Sequence, residues 1–472
     1  MKKHFLISMV ILLIAVLPSL AQQPKYVFYF IGDGMGVNQV NGTEAYRAEL
    51  EGRIGTVPLL FASFPYGTMA TTYSATNGVT DSAAAGTALA TGHKTKNGTL
   101  GLLPDLQTPI YSIASMAHET GMRVGIATSV SVDHATPAAF YAHVPDRGMY
   151  YDIGKNLIKT GFEFYAGSDF LNPTNDKAKD ECSLYEQCQN AGYSVVRGYK
   201  DYRKKAAKAD KLILFQTEEA SKRDRTAIPY AIDRKKGDLT LADITRAGIN
   251  FLSKGADKGF FLMVEGGKID WACHANDAAT VFKEVEDLDN AVRVAYEFYE
   301  QHPEETLIVV TADHETGGIV LGKGQYALNL QTLRHQHVSV NGLSAQFNEL
   351  RKKTGNKVTW EMAKKAMSES FGLFGAVKVS ERHEARLQRV FEETFVGKEP
   401  ALDASEYQKD ERLATVAKET LDDIAMVGWV SGSHSNGYVP VFSVGIGAEH
   451  FCGRMDNIEI PAKIADVAGW KK

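Results

Sequence analysis

Cysteine is scarce here: four in 472 residues. That is far too few to staple a chain of this length, so the fold must rest on a hydrophobic core rather than on a disulfide framework. Cys182 and Cys188 are close enough in sequence to close a small loop in an oxidising compartment. Cys273 and Cys452 are far apart, and their pairing stays open. Basic clusters are also wanting. Lys and Arg number 52 against 57 Asp and Glu, a formal charge of −5. An acidic balance without a dominant positive stretch speaks against nucleic acid or a membrane surface as partner. Long apolar runs are missing too, with one exception at the start. Lys2 and Lys3 precede an apolar stretch that is broken by Pro18 and closes on Ser19-Leu20-Ala21. This is the layout of a signal peptide, cleaved after Ala21, and no Cys follows for lipidation. The run is short for a membrane span. The reading is of a secreted, periplasmic protein whose mature part, 22–472, does not enter a membrane. There is no internal repeat and no low-complexity tract.

What is present is a series of buried-type strands that end in polar residues. Val27–Ile31 (VFYFI) runs into Gly32-Asp33-Gly34-Met35-Gly36. Arg123–Ser129 leads to Asp133-His134-Ala135-Thr136-Pro137 and then to Arg147. Gly259–Val264 (GFFLMV) ends in Glu265-Gly266-Gly267-Lys268-Ile269-Asp270-Trp271-Ala272-Cys273-His274. Leu307–Val310 ends in Thr311-Ala312-Asp313-His314-Glu315, and Ser431-Gly432-Ser433-His434 precedes the strand-like Val439–Ile446. Helical stretches lie between them. Thr108–Gly121 has Thr108 placed as N-cap and Pro109 at the first helical position. Leu239–Lys254 has Thr240 as its cap. After Asp277, the positions Val281, Val285, Leu288, Val292, Ala295 and Tyr299 form one apolar face. Residues 161–229 read as shorter strands and turns, with a solvated basic run near Tyr202–Lys211. The alternation specifies an α/β fold: a central, mainly parallel sheet flanked by helices. From about 322 to 424 the chain is charged and largely helical, without acidic strand ends, and reads as an insertion or cap.

Ser82 stands apart. It opens the run SAAAGTALA, at the start of a helix where free N–H groups and the helix dipole favour an anion. The strand ends supply Asp33, His134, Thr136, Glu265, Asp270, His274, Asp313, His314 and His434: oxygen and imidazole donors without thiolates, suited to Zn²⁺ and Mg²⁺-like ions. Asp270 and His274, four apart, share one side of a helical turn. A bound divalent ion can ionise a serine hydroxyl, and two ions can clamp the oxygens of an in-line phosphoryl transfer. An arginine can grip the remaining phosphate oxygens in bidentate fashion. His335 and His337 could also face one side of a strand and bind metal; the remaining histidines have no visible partner.

In this order, GDGMG, TDSAAAGTA, HATPAAFYAH, VEGGKIDWACH, TADHETGG and SGSH resemble the alkaline phosphatases, over nearly the whole mature chain. The resemblance implies a phosphomonoesterase with two Zn²⁺ and a third divalent ion (Mg²⁺, or Zn²⁺ or Co²⁺). It implies a first zinc at Asp270, His274 and His434, a second at Asp33, Asp313 and His314, and a third ion near Asp33, Thr136 and Glu265. Ser82 would become phosphorylated, Arg147 would grip phosphate, Asp81 would orient Arg147, and Trp271 would line the substrate site. His134 stands where the best-known bacterial pattern has Asp, and Trp271 where it has Lys or His, so the third ion is the part the resemblance leaves open. The substrates implied are phosphate monoesters, and a homodimer is compatible with the family. A phosphodiesterase or pyrophosphatase on the same metal core is the alternative. A sulfatase is disfavoured because no C/S-x-P-x-R run surrounds Ser82, and a non-catalytic phosphate- or metal-binding protein would not need that serine.

Overall fold

The computed structural model describes residues 23–175, 182–324, 326–396 and 400–470. The expected signal segment at 1–21 lies outside the described residues, apart from which the chain can be followed through one large sheet. Among the described residues no helix is long and apolar enough to cross a membrane.

Ten strands make that sheet. Its centre is Tyr26–Gly32 (β1), flanked by Phe260–Gly266 (β7) and Thr306–Ala312 (β8), both parallel to it. Beyond β7 come Arg123–Thr128 (β3), Phe164–Gly167 (β4), Lys211–Phe215 (β6) and Tyr193–Arg197 (β5), all parallel. Beyond β8 the strand Val439–Gly445 runs antiparallel, followed by Tyr66–Thr71 (β2) and the short Met455–Asp456. The residues of β1, β7 and β8 from Val27 to Ile31, Phe260 to Val264 and Leu307 to Val310 are fully buried. Strands covered on both faces need apolar residues at every position, which is why these segments are unbroken hydrophobic runs.

Register decides what happens at the carboxyl edge. Gly32 pairs with Gly266 on one side and with Ala312 on the other. Asp33 and Asp313 therefore leave the sheet in the same row on adjacent strands, whose spacing is about 4.8 Å. Thr128 pairs with Glu265, two rows earlier. Three acidic strand ends that are remote in sequence are thus neighbours in space.

The helix Ala278–Tyr299 is capped by the Asp277 side chain, which accepts from the Thr280 amide at 3.2 Å. It buries Val281, Val285, Leu288, Val292 and Ala295 on the sheet, with Tyr299 at the margin. Thr240 and Asp243 form a reciprocal capping box for Leu241–Leu252. The helix Ser82–Thr91 is buried along its whole length. Its small residues permit this: a Cβ on Gly86 would lie 3.2 Å from both Thr136 Cα, on the short helix Ala135–Ala138, and Ala139 Cβ just past its end.

Three expectations need correction. The helix expected from Thr108 starts at Ile113, capped by Ser112. Asp105 takes the Thr108 hydroxyl at 2.6 Å and its amide at 2.9 Å, so a local turn wins over the cap. The stretch 161–229 contains the helices Leu184–Asn190, Gly198–Lys205 and Glu218–Arg223 between its strands. Cys182 and Cys188 are both free, so the small loop is not closed; Cys182 is exposed while Cys188 is buried, its thiol pushed up to about 12 by burial.

The segment after Gly322 is mainly helical: Val340–Thr354, Trp360–Phe371, Glu381–Thr394 and Arg412–Ala425. It also contains a hairpin, Leu402–Ala404 with Lys409–Glu411. A buried ion pair fixes that hairpin, with Arg351 Nε 2.8 Å from Glu411 Oε1.

Candidate active site

The short helix after β7, Lys268–His274, is wholly buried and puts Asp270 and His274 on one side. Short pairing of His434–Ser435 with Glu315–Thr316 brings the last histidine back to the edge of the sheet. Asp33, Ser82, Glu265, Asp270, Asp313 and His314 are all fully excluded from solvent.

Three histidines point the same nitrogen inward, each for a visible reason. His274 Nδ1 lies 2.7 Å from the Gly432 carbonyl and His434 Nδ1 lies 2.8 Å from the Thr80 carbonyl. Both Nδ1 atoms must donate, because carbonyls only accept. Thr316 spends its own hydroxyl proton on Asp270 Oδ1 at 2.6 Å, so it accepts from His314 Nδ1 at 3.2 Å. In the neutral imidazoles the three Nε2 atoms therefore carry the lone pairs. Such an outer hydrogen bond is how proteins orient a metal-binding imidazole.

Those lone pairs meet carboxylates and each other. His274 Nε2 is 3.2 Å from His434 Nε2 and 3.3 Å from Asp270 Oδ2. His314 Nε2 is 3.3 Å from both Asp33 Oδ1 and Asp313 Oδ2, and 3.2 Å from Ser82 Oγ. Donor atoms fall within 4.8 Å of one another in three sets: Asp270, His314 and His434; Asp33, Asp313 and His314; Asp33, His134 and Glu265. His274 joins the first set on its distances to Asp270 and His434. Thr136 Oγ1 is 3.5 Å from Asp33 Oδ2, and Thr128 donates to Glu265.

These residues fit divalent cations on physical grounds. Among the described residues, Asp33 Oδ1, Asp270 Oδ2, Asp313 Oδ2 and Glu265 Oε1 are buried without any hydrogen-bond partner. Unpaired buried carboxylate oxygens are costly unless a cation answers them. Burial, then the neighbouring carboxylates, hold Asp33 and Asp313 well above the usual range, and burial lifts Glu265 to about 7. Burial works against a charged His274, yet the Asp270 carboxylate outweighs it and raises the imidazole to about 9. The pocket is asking for positive charge, and protons are a poor substitute for ions.

Arg147 lies at the rim. Its Nη1 is 3.3 Å from Asp81 Oδ2, whose other oxygen caps the helix by accepting the Ala84 amide at 3.0 Å. Nη2 is 3.4 Å from His134 Nε2 and 3.4 Å from the hydroxyl of Tyr407. His134 is buried and held neutral, lowered to about 3 by burial and by Arg147, and its Nδ1 has no partner. Trp271 is also buried with its indole N–H unpartnered. Its face carries the Lys268 ammonium at 4.5 Å, so a positive charge does sit beside this tryptophan, one turn back along the helix.

All the expected residues therefore converge on one edge of the sheet. His335 and His337 do not: they lie in the mainly helical segment after Gly322, outside every one of the three donor sets. Two residues went unread in the sequence, Tyr407 and Thr316. Thr316 follows the TADHE motif directly and could have been found there; nothing in SEYQ marks Tyr407.

The alkaline phosphatase family model matches residues 24–166 and 162–470. Alkaline phosphatase 3 of Bacillus subtilis is 32% identical over 457 residues, covering 93% of this chain and 88% of that protein. Among solved structures, the cold-active alkaline phosphatase from Shewanella sp. has a TM-score of 0.76 at 28% identity, covering 94% of this chain and 99% of that one. That of Thermus thermophilus has a TM-score of 0.77 at 28% identity, covering 96% and 93%. An α/β sheet with a cation-demanding carboxylate and histidine cluster beside a serine at the first residue of a buried helix defines a metal-dependent phosphate-transferring enzyme. The chain belongs to the alkaline phosphatase family, and it is a phosphatase.

Proposed function

We propose that the protein is an exported phosphomonoesterase that works through a phosphoserine on Ser82. The observation that carries this is the position of Ser82 Oγ, 3.2 Å from His314 Nε2 and at the first residue of a buried helix. Asp270, His274 and His434 would hold one zinc, and Asp33, Asp313 and His314 the second. Asp33, Thr136 and Glu265, with His134 Nδ1 as the remaining nitrogen, would hold a third divalent ion. Bound there, the ions supply charge neutralisation and a lowered hydroxyl pKa.

The chain's own groups do the rest. Arg147, held by Asp81, presents its guanidinium to two phosphate oxygens. The free amides at the start of the Ser82 helix favour the same anion. Ser82 Oγ forms the bond to phosphorus as the bond to the alcohol oxygen breaks, with attacking and leaving oxygens in line. Water then attacks the phosphoserine, freeing inorganic phosphate and restoring the serine hydroxyl. Trp271 forms a wall of the pocket. The signal-like start of the sequence supports export.

The test is turnover of p-nitrophenyl phosphate against bis-p-nitrophenyl phosphate, with metal content measured on the same preparation. The reading expects zinc in the active protein and a strong preference for the monoester. Preference for the diester would instead favour a phosphodiesterase on this core.

A further inference from the structure

The hairpin in the insertion carries Tyr407 to the rim of the site. Its ring lies flat on Trp271, with centroids 4.5 Å apart and planes 11° apart, and meets His134 and His274 edge-on at 5.7 and 5.5 Å. Below this stack the Lys268 ammonium sits over both Trp271 and Tyr230, at 4.5 and 3.5 Å. The Tyr230 hydroxyl in turn donates to Gln408 Oε1 at 3.4 Å, next along the hairpin. At the base, Glu411 is tied to Arg351 and its amide donates to Ser344 Oγ at 2.8 Å. The hairpin is thus held near its tip and at its base, which gives the Tyr407 hydroxyl a defined place.

That place is against Arg147. The guanidinium Nη1 faces Asp81, while Nη2 has two partners, His134 Nε2 and the Tyr407 oxygen. The two are not equivalent. A neutral imidazole has one lone pair, so His134 accepts through Nε2 only while its proton is on Nδ1. With a cation held at Nδ1, the proton would sit on Nε2 and that acceptor would be lost. A phenol oxygen accepts in either case and keeps its own proton to donate.

We propose that Tyr407 is a phosphate-positioning residue: its oxygen accepts from Arg147 Nη2 and fixes the guanidinium, and its O–H is directed to a phosphate oxygen of the bound monoester. The insertion therefore contributes to the substrate site as well as to its cover. This rests on the reading of Arg147 as the residue that grips phosphate, so the test includes that residue.

The experiment uses the full zinc-loaded chain and compares wild type, Tyr407→Phe, Arg147→Ala and the double variant. KM and kcat for p-nitrophenyl phosphate, the inhibition constant of inorganic phosphate, and Tm are measured for each. Phe preserves the stack on Trp271 and removes only the hydroxyl. Tyr407→Phe should raise KM and the phosphate inhibition constant together by about tenfold, as expected for loss of a hydrogen bond to a charged group. kcat should stay within about twofold and Tm should not move. In the Arg147→Ala background the same change should add less than about twofold, because the two residues act as a unit. If Arg147→Ala weakens phosphate binding while Tyr407→Phe leaves it at the wild-type value, the proposal is wrong and the Arg147 reading stands. If Arg147→Ala itself leaves phosphate inhibition unchanged, both fall. Full additivity of the two changes also overturns the coupling.

Discussion

Asp81 divides its two oxygens between structure and chemistry. Oδ1 accepts the Ala84 amide and caps the helix, while Oδ2 accepts from Gly98 and faces Arg147. Because the cap belongs to Asp81, Ser82 is free of it. Ser82→Ala should therefore keep the helix cap and the metal content, and the loss of one buried hydroxyl contact to His314 should cost no more than about 1.5 kcal/mol of stability. Its turnover should fall by several orders of magnitude, as when a nucleophile is removed; calorimetry alongside an initial-rate assay checks both halves. His134 offers a neutral nitrogen where a carboxylate would offer an anionic oxygen, and imidazole favours Zn²⁺ or Co²⁺ over Mg²⁺. Activation by Mg²⁺ should accordingly be weak in the wild type and stronger in His134→Asp, read from rates across a Mg²⁺ titration. Equal activation of the two would remove His134 from the third ion site. A companion Trp271→Lys change is poorly suited to this chain, because Lys268 already places an ammonium 4.5 Å from that ring. At this scale most of the candidate ligands were readable because they cluster just beyond the ends of buried strands, whereas His434, ahead of its strand, was marked by the SGSH run. Tyr407 was not, since it acts on Arg147 across 260 positions from a turn without a recognisable pattern.

The helix Ser82–Thr91 shows how an element sets the geometry of chemistry. Its alanines and Gly86 allow it to lie against Ala135–Ala138, so that Ser82 and Thr136 reach the same cluster. Gly86→Val would drive its side chain into Thr136 Cα and Ala139 Cβ, each 3.2 Å from the new Cβ. Overpacking of this kind costs about 1–3 kcal/mol, and the displaced helix should lose far more activity than stability. Denaturant unfolding and steady-state rates on one preparation separate the two effects; native kcat in a destabilised protein would contradict the account. Periodicity revealed the long helix after Asp277, because one apolar face persists over several turns. It failed at Thr108, where an aspartate three residues earlier captured the hydroxyl needed for capping. It failed again between β4 and residue 229, where helices of six to eight residues are too short and polar to show a stripe.

Across the whole molecule, one row of the sheet gathers charges that water would otherwise keep apart. Asp33 and Asp313 are adjacent by register, and neither can ionise comfortably without a cation. Removing divalent ions with a chelator should abolish activity and lower Tm, and adding zinc should restore both, because ligands that bind only the folded state stabilise it. The His274 imidazole, raised to about 9 by Asp270, must shed its proton to bind an ion. Zinc affinity should therefore fall as pH drops below about 9, which a competition titration at several pH values will show; affinity that is flat between pH 9 and 6 would contradict it. The parallel centre of the sheet was legible in its unbroken apolar runs, whereas the strand order was not. Register and crossover depend on contacts hundreds of residues apart, for which a single sequence carries no local signal.

The central claim is that Ser82 takes the phosphoryl group. Acid quenching of the zinc-loaded enzyme during turnover of a phosphate monoester, followed by peptide mass analysis, tests it directly. A phosphate adduct should appear on the peptide containing Ser82, and it should be absent after chelation and in Ser82→Ala. Sustained turnover with no adduct, or an adduct on a different residue, would contradict the account.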